Sequence, residues 1–134
     1  MFNIRKNEKY SVVKNILNHL IKRDDFCELM DLCLFSRSGI YELVDIVGVA
    51  VWGESSSCEL QDLYNFKNFS GIRFFYDYGN DEIISNDIED ISTDELSELV
   101  KEALVYYSPN HPDKKMEIEA LSKRLNRPVQ TSNR

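Results

Sequence analysis

Apolar residues recur at helical spacing near the start of the chain. Val12, Val13, Ile16, Leu17, Leu20 and Ile21 alternate with Lys14, Asn15, Asn18, Lys22 and Arg23, which predicts an amphipathic helix. Asp25 followed by Glu28 has the spacing of a capping box, with Asp in the usual Ser/Thr place. It predicts a second, more buried helix through Phe26, Leu29, Met30, Leu32, Cys33 and Phe35, broken by residues 36–39. The period then changes, and residues 43–52 predict a central strand passing through Gly48. Residues 58–70 mix Leu60, Leu63, Tyr64, Phe66 and Phe69 with polar residues in no clean period, as a long loop does. Residues 71–78 are strand-like and aromatic, and Gly79-Asn80 suits the positive φ of a tight turn, so a β-hairpin to a strand at 82–85 is expected. Ser92 with Glu95 forms a second capping box. The helix it opens is lined by Leu96, Leu99, Val100, Ala103, Leu104 and Tyr107 and stops before Pro109. Pro112 and Asp113 start a last helix with Met116, Ala120, Leu121 and Leu125 at helical spacing, and residues 128–134 are expected to form a loose tail.

This order of elements lacks the strand-helix alternation that builds a parallel sheet. It predicts an α+β fold, a small mainly antiparallel sheet with helices packed on one face. No repeat, low-complexity tract or linker divides the 134 residues, so a single domain over 1–134 is expected. Composition agrees with a globular chain: 43% hydrophobic and 29% charged, with 5 Gly and 3 Pro. The longest uncharged apolar stretch, 46–53, is far short of the roughly 20 residues a membrane span requires. The basic first ten residues lead into no apolar run with a small-residue cleavage site, so a cytoplasmic protein with no membrane partner is expected. Cys27, Cys33 and Cys58 are odd in number without CxxC spacing and read as reduced, mostly buried thiols.

Charge changes the picture. The net charge is −7, from 16 basic and 23 acidic residues, and it is unevenly spread. Residues 41–102 hold 15 acidic against 3 basic side chains, whereas the two ends of the chain are mildly basic. Such a chain repels phosphate, so no nucleic-acid partner is expected, and an acidic face is.

Candidate chemistry is sparse. His19 lies beside an apolar stripe and His111 sits in an Asn-His-Pro helix start, where hydrogen bonding to nearby backbone is the ordinary use. Cys27 and Cys33, within an apolar helix, lack the cationic neighbour that makes a thiolate. No catalytic residue is assigned. The clustered carboxylates lack the glycine and the alternating oxygen ligands of a calcium loop, and the scattered glycines form no phosphate cradle, so no metal or cofactor is expected. A small hydrolase using two of these carboxylates would require a concave pocket with displaced pKa values. The aromatic run Phe74, Phe75, Tyr76 and Tyr78 alternates as a strand does. One set of alternates is expected to face the core, and the other, together with Trp52, to anchor a protein interface.

The assembled pieces resemble the CdiI family of immunity proteins, which neutralise the ribonuclease toxins of contact-dependent growth inhibition in bacteria. The matching features are the strand 47–53, the strand 71–77 with its Tyr78-Gly79-Asn80-Asp81 turn, and the strand 82–85. They are followed by the helix 93–107 with its aromatic end and by His111-Pro112-Asp113 opening a Lys/Glu-rich last helix. The likeness covers about the last two thirds of the chain and includes no catalytic motif; the first helix and residues 54–70 have no counterpart. It implies a non-enzymatic protein whose partner is the C-terminal domain of a cognate toxin, a ribonuclease, with the acidic face occluding a basic RNA-binding or active-site cleft. The candidate partner-binding acids are Glu54, Glu59 and Asp62 in one segment and Asp77, Asp81, Glu82, Asp87, Glu89 and Asp90 in another, with Trp52, Tyr76 and Tyr78 as aromatic anchors. The alternative is a small acidic adaptor for another basic protein.

Overall fold

Helix α1 (Ser11–Leu20) forms where the first apolar stripe predicts it and buries Val13, Ile16, Leu17 and Leu20. The computed structural model describes residues 1–5, 8–36, 39–44, 47–53, 61, 66–76 and 88–126. Ahead of α1, Phe2 is pinned to it by the Asn18 side chain, whose Oδ1 accepts from the Phe2 amide at 2.8 Å and whose Nδ2 donates to the Phe2 carbonyl at 3.0 Å. Helix α2 (Phe26–Phe35) is apolar on most sides and buries Phe26, Cys27, Met30, Cys33 and Leu34. Asp25 stands at its N-cap but does not cap it. Its carboxylate is taken by Arg23 in a two-bond ion pair at 2.9 and 3.1 Å, a stronger partner than a backbone amide.

Among the described residues, four strands make one antiparallel sheet in the order β1-β2-β3-β4: β1 (Gly39–Val44), β2 (Val47–Val51), β3 (Ile72–Tyr76) and β4 (Ile88–Ile91). The single strand expected over 43–52 is two strands, β1 and β2, which pair antiparallel with Val44 opposite Val47. β2 is still central, between β1 and β3. The partner of β3 is 88–91, in the register Ile72 to Ile91 and Phe75 to Ile88. The tight turn at Gly79-Asn80 and the strand expected at 82–85 lie outside the described residues, as does the tail 128–134. The sequence reading places no strand at 88–91; its two carboxylates, Glu89 and Asp90, have partners across the fold.

Helix α3 (Thr93–Tyr107) opens on Ser92, whose Oγ accepts from the Glu95 amide at 3.1 Å, so this cap forms as the sequence predicts. It buries Leu96, Val100, Ala103, Leu104 and Tyr107 and leaves Leu99 partly covered. After two 3-10 turns (Ser108–Asn110 and Pro112–Lys114), helix α4 (Lys115–Leu125) begins. It buries Leu121 and Leu125 as predicted, with Ile118 half-buried beside them, whereas Met116 and Ala120 face solvent. Arg124 ties α4 to α2 by stacking 3.9 Å over the Phe35 ring and bonding Asp31.

The four helices among the described residues share one core with one face of the sheet. Val47, Val49, Ile72, Phe74 and Ile91 point into that core. The opposite face carries a second, smaller cluster of Ala50, Phe66 and Phe75, with Ile40, Trp52, Phe69 and Ile88 packed against it. It is covered by residues 66–70, the described end of the stretch expected to be a loop. Phe74 is 0% and Phe75 1% exposed, so adjacent strand residues of opposite orientation are both buried. Two glycines make this possible. A Cβ on Gly48 would stand 2.5 Å from the Phe75 ring, so the ring lies where a side chain would be; Gly71 has φ +77° and its Cβ would meet the Ile91 carbonyl oxygen at 2.5 Å.

Candidate partner-binding surface

Of the twelve residues assigned to partner binding, four lie in the described structure: Trp52, Tyr76, Glu89 and Asp90. Glu54, Glu59, Asp62, Asp77, Tyr78, Asp81, Glu82 and Asp87 lie outside the described residues. The sheet nonetheless fixes where the chain departs toward the two acidic segments. Val51 pairs with Ile72 at one end, and Val47 pairs with Tyr76 at the other. Residues 54–62 follow β2 from the first end, and residues 77–87 follow β3 from the second. Four strand steps of about 3.3 Å separate these exits, roughly 13 Å, which exceeds a Debye length of about 8 Å at physiological salt. The two groups of acids are therefore tethered at opposite ends of the sheet.

The two described aromatics do not share a face. Trp52 follows β2 on the side of Ala50 and Phe75 and meets Phe69 edge to face at 5.5 Å and 71°. Tyr76 ends β3 on the helix side, half-buried against the main core.

The two described acids are already engaged. Glu89 lies on the helix side of β4, and its carboxylate accepts from the Val13 amide at 3.0 Å. Val13 is the third residue of α1, whose N-cap Tyr10 has a left-handed backbone (φ 62°) and offers no side-chain cap. Glu89 thus supplies from another element the acceptor and the negative charge that a helix N-terminus favours. Asp90 lies on the other face and pairs with Arg73 on the neighbouring strand through two bonds, 2.6 and 2.8 Å. The Arg73 guanidinium in turn sits 4.7 Å from the Phe66 ring centre and 4.0 Å from that of Phe69. Arg73, Phe66 and Phe69 were not assigned to the site from sequence. One signal was there: Arg73 is the sole Lys or Arg between Lys67 and Lys101, and a lone cation in an acidic stretch finds a carboxylate.

Of the nucleophile and base candidates, Cys27, Cys33 and His111 are engaged in packing. Burial pushes the Cys27 thiol up to about 11 and the Cys33 thiol up to about 12, so neither supplies a thiolate at neutral pH. His111 stacks on Tyr107 at 3.9 Å between ring centres, with Nδ1 3.0 Å from the Tyr107 carbonyl oxygen, the backbone use its sequence context suggests. Tyr107 donates to the Asp24 carbonyl at 3.1 Å, and burial raises its phenol to about 12. His19 is exposed on α1. A third cluster joins the two helix starts: Tyr10 donates to Glu95 Oε1 at 2.5 Å and Lys9 reaches Glu95 Oε2 at 3.5 Å. The Tyr10 hydroxyl, then Ser92 and Lys9, hold the Glu95 carboxyl below the usual range.

Among the described residues, no group of three or more His, Cys, Asp or Glu side chains is placed to hold a metal ion, and no helix is long and apolar enough to cross a membrane. A shallow cavity of about 260 Å³ lies at the Val51 end of the sheet, between Trp52, Phe69, the end of α2 and Thr93, without a carboxylate in its lining. A smaller one, about 150 Å³, holds Asp24, Asp25, Glu28 and Glu117 beside Cys27 and Lys114. Compared with protein-family models, with curated proteins and with solved structures, the chain matches none.

Proposed function

We propose that this protein is an inhibitor that binds one cognate cationic protein, a ribonuclease toxin domain, and blocks it by occupying its basic cleft. The observation that carries this reading is the segregation of charge. Residues 77–90 contain six acidic side chains and no Lys or Arg, and this stretch spans the connection from β3 to β4 on a rigid sheet. Glu89 and Asp90 anchor its end to α1 and to Arg73; Asp77, Asp81, Glu82 and Asp87 are the acids assigned here to the partner. A cleft that binds RNA is lined by cations, and carboxylates compete with phosphate for them. Inhibition of this kind is steric and electrostatic: opposed charge raises the encounter rate, and a few buried contacts set the lifetime. The packing of His111, Cys27 and Cys33 suits a binding role, since each is occupied in holding the helices together.

The test is co-expression with the C-terminal domain encoded by the reading frame immediately upstream. The expected result is a one-to-one complex in which RNA cleavage stops, with an association rate that falls as salt rises. Absence of any complex with that domain overturns the proposal. Charge reversal at Asp77, Asp81 and Glu82, set against reversal at Glu54, Glu59 and Asp62, then shows which end of the sheet faces the cleft.

A further inference from the structure

Residues 1–5 form neither helix nor strand, yet they are firmly seated. Phe2 is 7% exposed and Ile4 is half-buried against the main core, while Met1, Asn3 and Arg5 face solvent. This is the alternation of an extended segment lying in a groove. The groove belongs to α1 and α3. Asn18 pairs with both the amide and the carbonyl of Phe2, and the Phe2 ring meets Tyr106 edge to face at 5.3 Å. Asn18 is two turns into α1, so this strap runs back along the helix that follows it, over about 10 Å at a rise of about 1.5 Å per residue. The return is made by the Glu8 amide, which bonds the Arg5 carbonyl at 3.2 Å, and by Tyr10. With φ 62° and ψ 29°, Tyr10 is the sole non-glycine residue of positive φ among those described, a conformation that a Cβ disfavours.

The contacts that seat Phe2 are made with α1 and α3 and do not involve the link between strap and helix. The same strap arriving from another molecule makes the same two hydrogen bonds and the same ring contact. We infer that the groove between α1 and α3 is an interface with a second copy of this chain, formed by exchange of residues 1–5. Each copy lays its Phe2 on the partner's Asn18 and the partner's Tyr106, and both grooves are filled reciprocally, as two-fold symmetry requires. The exchange gives up no contact of the seated strap. It also lets Tyr10 leave the left-handed region, because the strap no longer turns back along its own helix, and short strained hinges invite such swaps. Two terms oppose it: the lost independent motion of the copies, and the pull of Glu95, whose Oε1 accepts from the Tyr10 hydroxyl at 2.5 Å. Mass action sets the balance, with the closed monomer at low concentration and the exchanged dimer at high. This inference is independent of the function proposed above.

Sedimentation equilibrium of the full chain is expected to show a dimer whose share rises between about 10 μM and about 1 mM. Two variants separate strap from groove. Phe2→Ala spoils the strap and leaves the groove intact, whereas Asn18→Asp keeps the strap and removes the donor to the Phe2 carbonyl. Each alone is expected to weaken dimerisation about tenfold. An equal mixture is expected to form a one-to-one heterodimer, since the intact strap of one variant enters the intact groove of the other. Tyr10→Gly is expected to weaken dimerisation about threefold, because glycine adopts the left-handed turn without strain. Losing the bond to Glu95 acts in the opposite sense, so a fall reports the backbone. Should a variant fail to fold, a mixture of isotope-labelled and unlabelled unmodified chain decides, through NOEs between Phe2 of one copy and Tyr106 of its partner. A chain that stays monomeric at about 1 mM overturns the inference. So does a dimer that Phe2→Ala leaves unchanged, or one whose Phe2 to Tyr106 NOEs all arise within a single copy.

Discussion

The two sides of the sheet use the same residue types to different ends. On the helix side, Phe74 is buried in the core that the apolar stripes of the helices share. On the other side, Phe75 is buried as completely, but beneath a short covering segment that depends on an arginine stacked on two rings and on a glycine that gives the ring its place. The first is a core in the ordinary sense, stabilised by apolar area removed from water. The second is a thin layer with a polar clamp, more easily opened and more easily remodelled.

Alkaline titration should expose the difference most strongly. Cys27, Cys33 and Tyr107 belong to the helix-side core, and their protons are held to about 11, about 12 and about 12, against reference values of 9.0, 9.0 and 10.0. Between about pH 9 and 12 the unfolded chain releases protons that the folded chain keeps. Stability contributed by these groups is present below pH 9 and is lost as pH rises through the folded values. Circular dichroism at 222 nm should show cooperative loss of helix in that window, and Cys33→Ala should move it to higher pH; an unshifted transition would remove Cys33 as a cause.

Single substitutions sharpen the contrast. Phe74→Ala should cost about 4 kcal/mol in urea unfolding, because the helices above it cannot collapse into the gap. Phe75→Ala should cost about 3 kcal/mol, since the covering segment can settle toward the sheet. Equal losses would mean that the second face is packed as rigidly as the first. Gly71→Ala should cost about 2 kcal/mol, from the left-handed backbone and the close Ile91 carbonyl together. Ser92→Ala, which removes the α3 cap on the helix side, should cost about 1 kcal/mol and leave Trp52 emission unchanged.

Much of the fold was legible because it is local. The stripes of α1 and α3, the Ser92 cap and the alternation through Ile72, Phe74 and Tyr76 are periodicities that a single element imposes on its own residues. Where a second element mattered, the pattern misled. The run 43–52 reads as one strand because β1 and β2 both bury residues, and a single Asp45 between them is a weak mark of the division. Asp25 has the spacing of a cap and spends its charge on Arg23. Met116 and Ala120 keep helical spacing yet face away from α2 and α3, and Ile118, between them in sequence, turns inward. The candidate site was legible as a composition and not as a surface: its charge was plain, but the separation of Trp52 from Tyr76 to opposite faces follows from register alone.

From the sequence came the element types, the α+β class and the concentration of acidic residues in the middle of the chain, because periodicity and charge count are properties of neighbours along a chain. Tertiary structure decided how Glu89 and Asp90 are spent. Glu89 caps a helix 76 residues away and Asp90 neutralises a cation across a strand pair, and no spacing rule encodes either. A carboxylate takes the nearest donor that folding brings to it, and that donor is chosen by the packing of distant segments.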